Sequence, residues 1–277
     1  MKIKYLGTSA AEGIPGLFCN CVYCNEARRR GGKDLRTRSQ SIIDNTLLID
    51  FPADSLSHMY KYEIPISHIH NILITHTHQD HLYLEDFGLR SKYYGFAHNI
   101  DQMLTVYGND TFIKKFDAMY PQNSHYEQAK PNITCRELTE YKTVDIDGYN
   151  VTALLARHDP NEKCFIYYIE RGGTSLLYGN DTGWFPEPTW KFLADKTIDL
   201  VSLDCTFAKY AEGSGHMGIP DNIKVRNKLN ELGCLLPTSK FVITHFAHNG
   251  HMLHADIEKL GAKQGFIAAY DGMEVVF

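Results

Sequence analysis

Thr75-His76-Thr77-His78-Gln79-Asp80-His81 leaves the end of an apolar run, Asn71-Ile72-Leu73-Ile74, and sets three imidazoles and a carboxylate within six positions. Alternate residues of an extended chain face the same way, so His76 and His78 can converge on one cation while Asp80 and His81 swing toward another. Imidazole and carboxylate are ligands that Zn, Mn or Fe accept. The plain alternative is a polar turn in which histidine happens to repeat. That many ligand-type residues directly behind an apolar strand candidate make it the poorer reading.

The spacing His-x-His-x-Asp-His resembles the signature loop of the metallo-β-lactamase superfamily. The resemblance implies an α/β fold, an αββα four-layer sandwich, in which further ligands stand at the ends of later strands. His158 follows the run at 151–157, Asp181 follows 176–180, and His245 follows 241–244. Carried over by position, one metal takes His76, His78 and His158, the other takes Asp80, His81 and His245, and Asp181 bridges. Taken singly each later residue is weak, because a lone His after a strand is usually just hydrogen-bonded and Asp181 reads equally as a turn residue before Gly183. Joint placement selects them. Asp50, closing Leu47-Leu48-Ile49-Asp50, resembles the family's early aspartate that orients the ligand loop; a turn carboxylate before Pro52 is the other reading.

Seven cysteines, at positions 19, 21, 24, 135, 164, 205 and 234, include three within six positions, too close for a disulfide framework. In a reducing compartment such a cluster reads as a metal clip. The start Gly7-Thr8-Ser9-Ala10-Ala11-Glu12-Gly13-Ile14-Pro15-Gly16, followed by Cys19-Asn20-Cys21-Val22-Tyr23-Cys24, resembles the PhnP-type phosphodiesterases, phosphoribosyl cyclic phosphate phosphodiesterases of the carbon-phosphorus lyase pathway. That similarity implies a structural zinc on Cys19, Cys21, Cys24 and His248, a closed site that contributes to folding. Free thiols or an iron-sulfur cluster are the alternative, and His251 and His254 compete as fourth ligand. The similarity continues through Leu203-Asp204-Cys205, His216-Met217 and Asp271-Gly272-Met273-Glu274, and it implies that His216 assists the reaction rather than binding metal. Gly215 and Gly218 flank it and free its loop. A solvent-facing loop histidine is the plain alternative.

Strand candidates run at 3–6, 41–43, 46–49, 71–75, 103–107, 151–155, 165–169, 175–178, 200–203, 241–244 and 275–277, with hairpin turns at Asp44-Asn45 and Gly172-Gly173. Helical periodicity marks 26–30, 83–92, 112–119, 188–194, 223–232 and 252–260. Interleaving from end to end without a linker or repeat predicts one domain over residues 1–277. The tract 120–131, with Pro121 and Pro131 near its ends, reads as a loop or flap. Aromatics at 93–98 and 120–126 are candidates for lining a pocket, and equally for packing.

Apolar residues at 43% and charged residues at 22% are ordinary globular composition. A net charge of -5 argues against a partner gripped through a basic surface, although bound cations attract phosphate locally. No signal segment follows Met1 and no run approaches a membrane span, so the expected setting is soluble and cytoplasmic. The predicted function is a dinuclear metal-dependent phosphodiesterase acting on a small, cyclic phosphodiester, with two catalytic divalent metals (Zn or Mn) and one structural Zn. In it Asp80 orients or deprotonates the attacking water and His216 protonates the departing alkoxide. A tRNA 3′-processing endonuclease is the enzymatic rival; it needs a long basic arm, and Arg28-Arg29-Arg30 with Lys33, Arg36 and Arg38 is the sole basic concentration. A metal-stabilised binding or scaffold protein is the non-enzyme rival, disfavoured by the full ligand set. A homodimer is compatible with the sequence.

Overall fold

The computed structural model describes residues 1–91, 97–98, 102–121 and 131–277. The pocket candidates at 93–96 and the greater part of the 120–131 flap lie outside the described residues. Strands β1 (Lys2–Gly7), β2 (Gln40–Ile43), β3 (Leu47–Ile49), β4 (Asn71–Leu73), β5 (Leu104–Gly108) and β6 (Ile133–Glu137) form one sheet. Strands β7 (Thr143–Ile146), β8 (Tyr149–Leu155), β9 (Phe165–Arg171), β10 (Thr174–Gly179), β11 (Ile198–Asp204), β12 (Leu235–Thr244) and β13 (Ile267–Ala268) form a second. The last strand, β14 (Glu274–Val276), returns to the first sheet, giving the orders β14-β1-β2-β3-β4-β5-β6 and β13-β12-β11-β10-β9-β8-β7.

Period-two alternation explains the layering. Leu47 and Ile49 of β3 and Tyr167 and Ile169 of β9 point into an apolar layer between the sheets, while Leu48, Ile166 and Tyr168 point outward. The outward face of the first sheet is covered by Phe112 and Phe116 of α3 (Asp110–Met119). Across the molecule, Trp190 and Leu193 of α4 (Glu187–Leu193), Val225 and Leu229 of α5 (Ile219–Glu231) and Ile257 of α6 (His254–Lys263) cover the second sheet. Helix, sheet, sheet, helix is the αββα sandwich. The two hairpins expected from the sequence have both central residues at positive φ, Asp44 at 48° with Asn45 at 58° and Gly172 at 57° with Gly173 at 80°, and so has the β7–β8 hairpin, Asp147 at 52° with Gly148 at 81°, the handedness that matches strand twist. Among the described residues no helix is long and apolar enough to cross a membrane.

Four elements were not visible in the sequence pattern. Strand β7 is an edge strand with one buried residue, β13 is two residues long, and β6 ends on exposed Arg136 and Glu137, so none presents a clean apolar alternation. Helix α2 (Ser55–Tyr62) buries only Ser55 and His58, a polar face with no apolar period. The expected helix at 83–92 is a 3-10 helix over Leu84–Arg90.

Parallel pairs β3·β4, β10·β11 and β11·β12 bring several strand C-termini to one edge of the sandwich. Buried Gln40 braces that edge from below. Its amide donates to the Asp50 carbonyl (2.9 Å) and to Ser55 Oγ (2.9 Å), and His58 bonds both Gln40 Oε1 (2.6 Å) and Thr37 Oγ1 (2.7 Å). Burial pushes His58 down to about 4 from 6.5, against the pull of Asp54. The folded protein therefore takes up this proton less readily than the unfolded chain. The resulting stability is present above 6.5 and is lost as pH falls from there toward 4. His58→Gln removes the titration and keeps a hydrogen-bonding side chain, so its urea midpoint should fall less steeply than that of the wild type between those values. Identical slopes would remove His58 as a source of acid lability.

Candidate metal centre

The loop after β4 is gripped by Asp50, which is fully buried at φ 66°. Thr75 N–H and Oγ1–H donate to Asp50 Oδ1 at 2.8 and 2.9 Å, and His81 Nδ1 lies 2.7 Å from Oδ2. Phe51 N–H donates to the His81 carbonyl and Tyr83 N–H to the Phe51 carbonyl, both at 2.7 Å, so the loop is stitched to the chain beyond β3. Asp50 thus orients the ligand loop and is not a simple turn carboxylate. Asp181 (φ 55°) and His245 (φ 61°) are also left-handed, a conformation that costs about 1–3 kcal/mol per residue and that surrounding contacts must maintain.

All seven side chains expected from the sequence meet. His76, His78, His158 and Asp181 have ligand atoms mutually within 4.8 Å, and so do Asp80, His81, Asp181 and His245. Asp181 Oδ2 is 3.3 Å from His76 Nε2, 3.2 Å from His81 Nε2 and 3.6 Å from His245 Nε2; Asp181 is common to both groups. Two atoms each about 2.05 Å from a tetrahedral ion stand about 3.3 Å apart, so these separations suit shared cations. His76 Nε2 and Asp181 Oδ1 are buried with ring nitrogens or a carboxylate oxygen at 3.0 to 3.3 Å but no well-aligned hydrogen bond, a costly arrangement unless a cation takes their lone pairs. Burial opposes ionisation of Asp181, yet His245, His216, His76 and His81 hold it well below the usual carboxylate range. Asp80, also buried, is drawn down in the same way by His81 and His245. The donor set fits divalent metal.

The imidazoles are backed by groups that the sequence reading assigned no role. Asp204 Oδ2 lies 3.3 Å from His245 Nδ1 and accepts from Thr206 Oγ1 (2.8 Å), while Asp204 Oδ1 accepts from Met217 N–H (2.7 Å). Asp159 Oδ2 lies 3.1 Å from His78 Nε2. A carboxylate closing the strand-like 200–203 run was the available signal for Asp204; nothing local distinguishes Asp159. His216 sits on the loop before α5, its Nδ1 3.0 Å from Asp181 Oδ1 and 3.2 Å from Asp204 Oδ2, with 28% of its side chain exposed. It is a rim residue rather than a free surface histidine. Burial opposes its charge, but the two carboxylates push it up to about 11. By distance alone Asp181, Asp204, His216 and His245 also form a four-ligand group. A cleft of about 250 Å³ opens over the cluster, walled by Ala10, Glu12, Phe207, Ala247 and Asn249.

Beside the cleft, Cys19, Cys21 and Cys24 aim their sulfurs at one atom, His248 Nδ1, at 3.3, 3.4 and 3.4 Å. A tetrahedral zinc with Zn–S about 2.3 Å and Zn–N about 2.0 Å gives S···N near 3.5 Å. Each sulfur also accepts a backbone N–H, from Cys21, Cys24 and Gly16 respectively, and without a cation burial pushes the Cys24 thiol up to about 12. Burial would raise Cys21, but the Cys24 amide and His248 lower it to about 6. His251 stacks on Tyr23 and His254 Nδ1 faces Arg36 at 3.0 Å, so neither enters the clip.

A family model described as the β-lactamase superfamily domain matches residues 46–246. The chain belongs to the β-lactamase superfamily. The match contains all seven clustered residues and stops short of the clip. Among solved structures, a diphosphatase of the PhnP family covers all of this chain over 97% of its own at 19% identity and TM-score 0.75. PqqB from Methylobacterium extorquens, solved with bound Zn, covers all of both chains at 18% identity and TM-score 0.75. Human tRNase Z, short form, covers all of this chain over 99% of its own at 18% identity and TM-score 0.64. At these identities the likeness is one of fold. No curated protein matches the sequence.

In this superfamily member the clip can be tested apart from the main cluster, because Cys21 also caps α1 (Val22–Arg30) by accepting from Cys24 N–H. Serine is itself a favoured cap. Cys21→Ser should therefore keep the helix start, lose one tightly held metal ion by mass-spectrometric metal analysis, and lower the melting temperature. Retention of the same metal content would show that these thiolates do not form a metal site.

Proposed function

We propose that this metal-dependent hydrolase cleaves a small phosphodiester, cyclic ones included, with two catalytic divalent cations (Zn or Mn) and a structural zinc in the clip. The single observation that carries the reading is the pair of four-ligand groups that share Asp181 beneath a small cleft. One cation is assigned to His76, His78 and His158, the other to Asp80, His81 and His245, with Asp181 between them. The diphosphatase activity named for the similar PhnP-family structure supports phosphorus-oxygen chemistry. A cleft of about 250 Å³ suits a small reacting group. Three thiolates in a clip accord with a reducing, cytoplasmic setting. We take the chain to act as one catalytic domain on a small-molecule substrate.

When bound, divalent cations supply Lewis acidity to phosphoryl oxygens and acidify water. The remaining work falls to side chains. Asp80, held ionised, accepts a hydrogen bond from the attacking water and orients it toward phosphorus. As the water oxygen bonds to phosphorus, the bond to the leaving oxygen breaks. His216, held at the rim of the cleft with Nδ1 3.2 Å from Asp204 Oδ2, gives its proton to that alkoxide. In a cyclic diester the ring opens and the new hydroxyl stays attached to the phosphomonoester.

Purified protein should hold three ions per chain and hydrolyse bis-p-nitrophenyl phosphate with added Mn or Zn. No more than one ion, at the clip, overturns the proposal. Parallel assays on cyclic phosphates, dinucleoside diphosphates and 3′-extended tRNA separate the substrate classes. His216→Ala should cut turnover of alkyl-alcohol esters by about 10²-fold or more, yet that of nitrophenyl esters by under about tenfold, since nitrophenolate leaves without a proton. Equal losses would remove His216 from the proton-donor role.

A further inference from the structure

The two four-ligand groups are not equally protected. Asp80, His81, Asp181 and His245 are all buried, whereas the His78 side chain is 41% exposed. An exposed imidazole can turn either nitrogen inward, and only a fixed proton on one nitrogen keeps the lone pair of the other aimed at a metal.

We propose that Asp159 is a positioning residue that fixes the His78 ring, so that the affinity of the His76/His78/His158 group depends on a carboxylate at the outer rim of the site. His78 Nε2 lies 3.1 Å from Asp159 Oδ2, and His78 Nδ1 lies 3.1 Å from His158 Nε2, on the side where the ligand atoms gather. With Nε2–H donating outward, the Nδ1 lone pair faces the group. Asp159 is itself held, because Oδ1 accepts from Asn161 N–H and from Asn161 Nδ2, both at 2.8 Å. Three residues on, Glu162 accepts from Thr77 N–H (3.0 Å) and Thr77 Oγ1 (2.9 Å), and from Asn109 Nδ2 (3.0 Å). Thr77 stands between His76 and His78. The stretch 158–162 therefore supplies one ligand and braces the loop that carries two others at Thr77, while Asp50 holds it at Thr75.

This inference rests on the proposed cation pair, and the experiment separates the two. Full-length wild type, Asp159→Ala and Asp159→Asn, with the clip zinc retained, are titrated with Mn or Zn against a chromophoric chelator. In Asp159→Ala, the affinity of one ion of the pair should drop about 10–100-fold while the other stays within about twofold; Asp159→Asn, which keeps an acceptor, should lose less. Long-range nitrogen-proton NMR should show the His78 ring protonated at Nε2 in the wild type, and this preference lost in Asp159→Ala. Unchanged affinities in Asp159→Ala, or an equal drop at both positions with a lowered melting temperature, overturn the positioning role. A wild type that binds no pair at all overturns the proposed function, and this role with it.

Discussion

Five imidazoles and two carboxylates crowd within a few ångströms of one another at the edge of two β-sheets, and internal hydrogen bonds do not satisfy them all. Burial penalises each charge: it pushes His76 and His158 toward their neutral forms, while Asp80 and Asp181 stay ionised beside His81 and His245. A divalent cation answers both demands at once. The rest of the structure serves to keep this otherwise unfavourable arrangement in place.

Rigidity comes from the sandwich. Parallel strand pairs bring Asp204, at the end of β11, and the loops carrying Asp181 and His245 to one edge, and the apolar layer between the sheets fixes the distance to the loop after β4. Buried carboxylates then set individual rings: Asp50 orients His81, and Asp204 orients His245 and His216. The left-handed backbone at Asp50, Asp181 and His245 is part of the same arrangement, with local conformational preference given up for ligand placement. The clip extends the design to the N-terminal segment, since His248 lies three residues past His245 and ties the cysteine loop to the rim of the cleft.

Much of this was legible along the chain. The ligand loop and the three later candidates each stand just past a strand with a strong apolar signal, and the cysteine clip was marked by three thiols within six positions. Elements with weak patterns escaped: β7 and β13 because edge strands bury little, and α2 because its inner face is Ser55 and His58 rather than an apolar stripe. Asp204 and Asp159 were assigned no role for a related reason. A carboxylate that works by holding another residue's ring carries no local mark, since its meaning lies in a partner 41 or 81 positions away.

The sequence by itself marked the loop at 75–81 and the thiolate cluster as candidate ligands, because residue chemistry and period-two alternation are properties of neighbouring residues, whereas His158, Asp181, His245 and His248 were candidates only through the resemblance in placement. Only the tertiary structure decided which residues hold those ligands in place, that His248 rather than His251 or His254 faces the thiolates, and that His216 meets Asp181. Those are matters of distance between segments far apart in the chain, and packing of the two sheets sets them.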